Sequence, residues 1–251
     1  MKITYIHHSA FCVETAGKAL VFDYYRGDRV PDCMYQGKMP KFSEKMPVYV
    51  FSSHSHQDHF DPEVLKWSRE YLNIRYIFSK DIKKKLGNSA LKRLGMEESI
   101  KDRITYVKPG EQHAIDGITV ETLLSTDAGV AFLVTVSGKV IYHAGDLNWW
   151  RWEGEPEEFN EYQEKTYKEQ IDLLSERKID LAFVVMDPRQ ERDKYLGIDY
   201  FLEHVQAEYI VPMHMWKEYG AIQEYRSLSQ NAAVRDKILV VERENQEIIL
   251  P

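Results

Sequence analysis

The chain has 251 residues, 43% hydrophobic and 29% charged, with a formal net charge of -7 at pH 7, enough length and apolar content to bury a full core as one large domain or two small ones. The acidic balance argues against a broad nucleic-acid-binding face, and no apolar run approaches a membrane span. The opening Met1-Lys2-Ile3-Thr4-Tyr5 enters a strand pattern without the apolar core of a signal peptide.

Two cysteines occur, Cys12 in an apolar strand pattern and Cys33 in an unrelated context, with no C-x-x-C pair. A disulfide framework or thiolate metal site is unsupported, and a cytoplasmic protein is expected.

Residues 3–7, 10–15 and 19–25 are rich in β-branched and aromatic side chains and predict three strands, the last two joined by a turn at Ala16-Gly17-Lys18. His7 and His8 end the first. Residues 26–46 hold Gly27, Pro31, Gly37 and Pro40 without periodicity and predict a long loop, functional or mobile, placed to cover a site. Its Arg26 and Arg29, with Tyr24 and Tyr25, are either substrate contacts or solvated surface.

Pro47-Val48-Tyr49-Val50-Phe51 predicts a buried strand. It feeds Ser52-Ser53-His54-Ser55-His56-Gln57-Asp58-His59-Phe60, which carries the spacing H-x-H-x-D-H. Residues two apart in extended chain point the same way, so His54 and His56 can grip one ion. Asp58 and His59 fall on the following turn and can face a second. A lone histidine is usually solvated or satisfied in a core; four donors within six positions at a strand end form a metal-site pattern. Asp61 is placed to cap the next helix, and Pro62 suits its first position.

Beyond the motif, an amphipathic helix is expected over 62–72, a strand over 74–78, and a lysine-rich helix over 81–94 interrupted at Gly87-Asn88, with Lys83, Lys84 and Lys85 on a solvated face. Strands follow at 104–107, 111–115 and 118–124, punctuated by Pro109-Gly110 and Asp116-Gly117. A hairpin over 130–136 and 139–143 turns at Ser137-Gly138. Then come a helix over 161–177, a strand over 181–185 before Asp187-Pro188-Arg189, and a helix over 199–204. A strand over 209–212 leads to His214; a helix over 221–233 and edge strands at 238–241 and 247–250 close the chain. No linker divides it, so a single domain over 1–251 is expected.

The H-x-H-x-D-H strand end resembles the metallo-β-lactamase fold superfamily of metal-dependent hydrolases. Ile141-Tyr142-His143-Ala144-Gly145-Asp146 is similar to that family's strand ending in a metal-bridging aspartate, and Ile210-Val211-Pro212-Met213-His214 to the late strand that delivers its final histidine. Residues 3–23 look like its opening hairpins. The resemblance implies an α/β (α+β) fold, a four-layer αββα sandwich with two mixed sheets between helical layers, and two ions sharing a bridging hydroxide as nucleophile. It assigns His54 and His56 to the first ion, Asp58, His59 and His214 to the second, and Asp146 to both. Gly145 allows the sharp turn that points Asp146 inward.

One departure stands out. The family's first ion takes a third histidine before the hairpin that ends at Asp146, and here that region reads Leu123-Leu124-Ser125-Thr126-Asp127-Ala128-Gly129. Asp127 is the nearest donor and a competent zinc ligand; the alternative is a turn residue before Gly129. His113 falls too early, in a different strand. A carboxylate in place of an imidazole lowers the Lewis acidity of the ion and lets Mn2+ or Fe2+ compete with Zn2+, two of which per chain remain the first expectation.

In this reading Asp58 orients the nucleophile. His8 is either a substrate contact or proton donor, or an ordinary strand-end residue. Arg189 either binds a substrate carboxylate or phosphate or is structural. His143 is placed to orient a ligand, and Trp149, Trp150 and Trp152 wall a pocket or pack a loop. The resemblance implies a cytoplasmic hydrolase cleaving an ester, lactone, amide or phosphodiester in a small-molecule substrate, most similar to the sugar-phosphate lactonase branch. Two other classes stand beside it: an RNA- or DNA-processing nuclease, disfavoured by the acidic balance, and a non-catalytic metal-binding or sensor protein whose altered first site has lost hydrolysis. No membrane partner is expected, and homo-oligomers are common among relatives.

Overall fold

Residues 1–30 and 34–251 are described by a computed structural model of the chain; Pro31 and Cys33 lie outside the described residues. Two compact units are present, Met1–Lys108 with Arg243–Pro251, and Pro109–Glu242.

The first unit is built on a seven-stranded sheet. Strands β1 (Lys2–His7), β2 (Ala10–Thr15) and β3 (Lys18–Phe22) form an antiparallel meander, as their alternation and the Ala16-Gly17 turn predict. From β3 the sheet continues in parallel through β4 (Val48–Ser52), β5 (Ile74–Ser79) and β6 (Ile104–Val107). All five residues of β4 are buried, which is why its sequence is a continuous apolar run without alternation. The terminal strand Gln246–Ile249 pairs antiparallel with β1. Val21, Val50, Val64, Leu65, Tyr76 and Phe78 belong to the unit's core, together with the Cys12 side chain. Burial pushes the Cys12 thiol well above its ordinary range, consistent with an inert packing role.

The second unit repeats the plan. Strands β7 (Gln112–Ile115), β8 (Ile118–Leu124), β9 (Val130–Val136) and β10 (Lys139–His143) run antiparallel. The sheet then turns parallel through β11 (Lys178–Val185) and β12 (Gln206–Met213). In each unit, therefore, parallel strands end together at one edge, where α/β sheets present their functional loops.

Several expected helices take another form. Residues 62–72 contain a 3-10 helix, Pro62–Arg69. Its carbonyls are engaged elsewhere: the Tyr76 hydroxyl donates to those of Val64 and Leu65 at 3.1 and 3.2 Å, and Ser68 Oγ donates to that of Leu65 at 2.7 Å. The lysine-rich stretch divides at Gly87 into a 3-10 helix, Lys80–Lys85, and α1 (Asn88–Leu94). Helix α2 (Glu157–Asp172) starts earlier than expected, with Pro156 at its N-cap accepting from the Asn160 N–H at 3.2 Å. Helix α3 (Leu196–His204) encloses the expected span, and α4 (Gly220–Ser227) stops short of it. The strand expected over 238–241 reduces to a single bridge, Ile238 with Ile210. Short 3-10 helices at Glu98–Arg103 and Pro188–Asp193 were not signalled by periodicity. Among the described residues no helix is long and apolar enough to cross a membrane.

Packing is tight at the start of α3, where a Cβ added to Gly197 would lie 2.0 Å from Asn148 Oδ1. Gly197→Ala should therefore destabilise the protein by about 1–3 kcal/mol in denaturant melts. Gly87→Ala, where an added Cβ meets nothing within 4 Å, should stay within about 0.5 kcal/mol of the parent.

Candidate metal centre

In the first unit the motif loop leaves β4 beside the end of β3. The Asp23 backbone N–H donates to the Phe51 carbonyl at 2.9 Å, which brings the Asp23 carboxylate under the loop. Asp23 is fully buried, and its backbone takes a left-handed φ of 44°. It accepts from the Ser53 N–H at 2.7 Å and from Ser53 Oγ at 2.6 Å, and it pairs with His59 Nδ1 at 2.8 Å. A carboxylate only accepts, so His59 Nδ1 carries a proton and Nε2 is the nitrogen left to face outward. His59 Nε2 lies 3.8 Å from Asp58 Oδ2, and His8 Nε2 lies 3.6 Å from the same oxygen. His54 Nε2 and His56 Nδ1 are 3.0 Å apart. The loop is also held from outside: Asp81 accepts from the Ser55 N–H at 2.8 Å, and Lys85 donates to the Ser55 carbonyl. At least Lys85 thus departs from a purely solvated face.

Asp61 caps the helix as expected, accepting from the Glu63 N–H at 3.0 Å. Fully buried, it also receives Arg26 Nε at 2.8 Å and Arg29 Nη1 at 3.3 Å. Those two arginines tether the loop after β3 to the motif.

The second unit uses the same device. Asp187 follows β11, is fully buried, and pairs with His214 Nδ1 at 2.9 Å. It also accepts from Trp216 Nε1 at 3.2 Å and from Arg189 Nε at 3.0 Å. Burial alone would raise the Asp187 carboxyl; hydrogen bonds and charge from His214 and Arg189 outweigh it and hold the group well below the usual carboxylate range. His214, with φ 69°, places Nε2 3.5 Å from Asp146 Oδ1. Asp146 follows β10 through Gly145, whose φ is 54°. His143 Nδ1 accepts from the Gly145 N–H at 3.1 Å, so His143 supports this turn.

Asp127 and Asp146 offer carboxylate oxygens within 4.8 Å of each other. Thr126 makes that possible: its Oγ1 donates to the Asn148 carbonyl at 2.6 Å and accepts from the Asn148 N–H at 3.0 Å. Asp146 is 6% exposed, whereas Asp127 and His56 are exposed. Arg189 lies on Asp187, with its guanidinium 4.4 Å from the Trp216 ring centre and 5.8 Å from that of Trp152. Trp150 donates from Nε1 to the Asp146 carbonyl at 3.0 Å and stands edge-on to His214. Trp149 packs elsewhere, under Lys168 and against Tyr200. His113 lies in β7 against Glu111 at 3.1 Å.

These donors suit a transition metal. With ligands about 2.1 Å from a tetrahedral ion, neighbouring donor atoms sit roughly 3.4 Å apart. The separations of 3.0, 3.5 and 3.8 Å bracket that value, and imidazole with carboxylate is a donor set for zinc, iron or manganese.

A family model described as a beta-lactamase superfamily domain matches residues 2–160. The chain belongs to the beta-lactamase superfamily. A UPF0173 metal-dependent hydrolase of Methanosarcina barkeri is 24% identical over 149 residues, covering 58% of this chain and 61% of the relative. The chain spans about three-fifths of the length of the curated relatives it matches. Among solved structures, a metallo hydrolase from the archaeon Ignicoccus hospitalis aligns with a TM-score of 0.67 at 16% identity, over 98% of this chain and 97% of its own. The diiron β-hydroxylase CmlA of Streptomyces venezuelae aligns with a TM-score of 0.56 at 15% identity, over 86% of this chain and 45% of its own. At these identities the likeness is one of fold, and the mixed α/β chain with two sheets is the metallo-β-lactamase fold anticipated from the motifs.

The two buried carboxylates escaped the motif reading as site residues. Each directly follows an apolar strand run, Leu20-Val21-Phe22-Asp23 and Val184-Val185-Met186-Asp187, and that repeated ending is the signal that would have found them. Asp23→Asn and Asp187→Asn should each weaken metal retention by about 10–100-fold, measured by competition against a chromogenic chelator. Circular dichroism should show the fold retained.

Proposed function

We propose that this beta-lactamase superfamily member is a metal-dependent hydrolase acting on a small molecule. One observation carries the reading: His59 and His214 each have Nδ1 fixed by a buried carboxylate and Nε2 turned toward a second carboxylate. That is the arrangement by which proteins prepare imidazoles as ligands. By the family resemblance, His54, His56, Asp58 and His59 of the first unit and Asp127, Asp146 and His214 of the second would be the residues that hold metal. When bound, the ions supply Lewis acidity and a water acidic enough to react near neutral pH.

The chain's own groups do the rest. Asp58 accepts a hydrogen bond from the attacking water and orients it. His8, fully buried beside Asp58, donates to a substrate oxygen. Arg189, whose side chain is 49% exposed while paired with Asp187, receives an anionic substituent of the substrate. The bond attacked is an ester, lactone, amide or phosphodiester. Two Zn2+ ions fit the histidine-rich donor set, and iron stands beside zinc because a diiron enzyme shares the fold.

A second reading has its own support. His56 and Asp127 are the exposed donors of the first ion, so that ion is the more weakly held, and a mononuclear metal-binding or sensor protein follows if it is lost. Elemental analysis of protein purified without added metal should give two ions per chain, falling to one in Asp127→Ala. Unchanged content in that variant would remove Asp127 from the ligand set. Hydrolysis found by screening esters, lactones, amides and phosphodiesters should vanish on chelation and return with Zn2+. A fully loaded protein that cleaves none of them would favour the sensor.

A further inference from the structure

Charge is spread unevenly along the chain. Residues 66–108 hold twelve lysines and arginines against five acids, a net of +7 in a chain that totals -7. Within this basic stretch the first unit has a cavity of about 640 Å3 on which Arg69, Arg75 and Arg103 converge. Three elements build it. The 3-10 helix Pro62–Arg69 supplies Arg69, β5 supplies Arg75 near its start, and the 3-10 helix Glu98–Arg103 supplies Arg103 just before β6. Arg75 pairs in register with Tyr49 of β4, whereas the motif loop leaves that strand beyond Ser52. The arginines therefore gather toward the amino ends of the parallel strands, roughly 10 Å along them from the point where the motif loop departs.

Two of the guanidiniums are anchored in advance. Arg69 Nη2 donates to the Gly95 carbonyl at 2.6 Å, and Arg103 Nη1 donates to the Leu72 carbonyl at 3.3 Å. A carbonyl holds such an arm without cancelling its charge. Gly95 ends α1 with a φ of 66°, and a Cβ there would lie 3.4 Å from Arg69 Nη2. An arginine held in this way loses little freedom on meeting an anion, and its planar fork matches the oxygens of a phosphate.

The remaining lining describes the rest of the ligand. Glu97 and Asp102 face the same cavity; ionised carboxylates only accept, so they repel a second anionic group and suit hydroxyl or amine donors. Met96 and the buried Ile100 add an apolar floor. The volume is that of a pocket for a whole small molecule.

We infer that this cavity binds a phosphate monoester of about the size of a nucleoside monophosphate, with the phosphate on Arg69 and Arg103 and hydroxyl or amine groups toward Glu97 and Asp102. The site stands apart from the metal chemistry and does not depend on the hydrolase reading. One element reaches both places: the 3-10 helix that ends at Arg69 begins at Asp61, which caps it beside the motif loop.

Isothermal titration of the metal-loaded protein with adenosine monophosphate tests this. Saturable binding at one site per chain is expected, with inorganic phosphate weaker by about tenfold or more and adenosine silent. Arg69→Met and Arg103→Met should each weaken the nucleotide by about tenfold or more, the weight of a hydrogen bond to a charged group. Ser99→Glu, which adds a negative charge to the exposed lining and leaves both anchors in place, should weaken it as well. Arg189→Met, beside Asp187 in the second unit, should bind as the parent does. Circular dichroism and metal content of the cavity variants should match the parent. Failure of both adenosine monophosphate and glycerol 3-phosphate to bind at millimolar concentration would overturn the inference. So would binding lost in Arg189→Met but kept in Arg69→Met and Arg103→Met, which would place the phosphate at the metal centre. Weak binding that salt abolishes and no single substitution changes would also overturn it, by assigning the anion to the diffuse charge of the lysines.

Discussion

The site depends on one interaction made twice: a buried carboxylate hydrogen-bonded to the Nδ1 of a histidine. Burying a charge is costly unless it is fully hydrogen-bonded, and both carboxylates meet that condition. Asp23 receives the Ser53 N–H, the Ser53 hydroxyl and His59. Asp187 receives His214, Trp216 and Arg189. Every donor in the first set belongs to the motif loop, so the bonds that stabilise Asp23 also fix the loop's path. Removing Asp23 would therefore disturb two things together, the protonation of His59 and the backbone that carries its neighbours.

The same logic explains why strand ends carry the chemistry. Phe22 and Phe51 pair in register on parallel strands and stack at 4.7 Å, so the residues that follow them emerge side by side. In the second unit Val185 and Met213 pair in register, and Asp187 and His214 follow. A rigid, fully buried sheet sets the separation of polar groups that sit just beyond it.

Much of this was legible in the sequence. Strands announced themselves because β4, β9 and β11 are runs of branched and aromatic residues, and the H-x-H-x-D-H spacing identified the loop without any structure. Helices were less legible. The stretch at 62–69 has an amphipathic pattern, but Tyr76, from a later strand, takes its carbonyls, and no local pattern encodes that. Arg26 and Arg29 looked like free cations because their partner, the Asp61 carboxylate, lies 32 or more residues further on. Asp23 and Asp187 were invisible as site residues for a similar reason: a single acidic residue after a strand gains meaning only when the histidine it meets is known.

The pairing of the terminal strand with β1 bears on how the chain comes off the ribosome. Gln246–Ile249 supplies the outer neighbour of β1, and the N-terminal amine donates to the Leu250 carbonyl at 2.9 Å. All of Pro109–Glu242 is synthesised between these partners. At roughly 5–20 residues per second, the edge of β1 stays unpaired for on the order of ten seconds or more. An open strand edge of that lifetime is a template for wrong pairing until Gln246–Ile249 has been made.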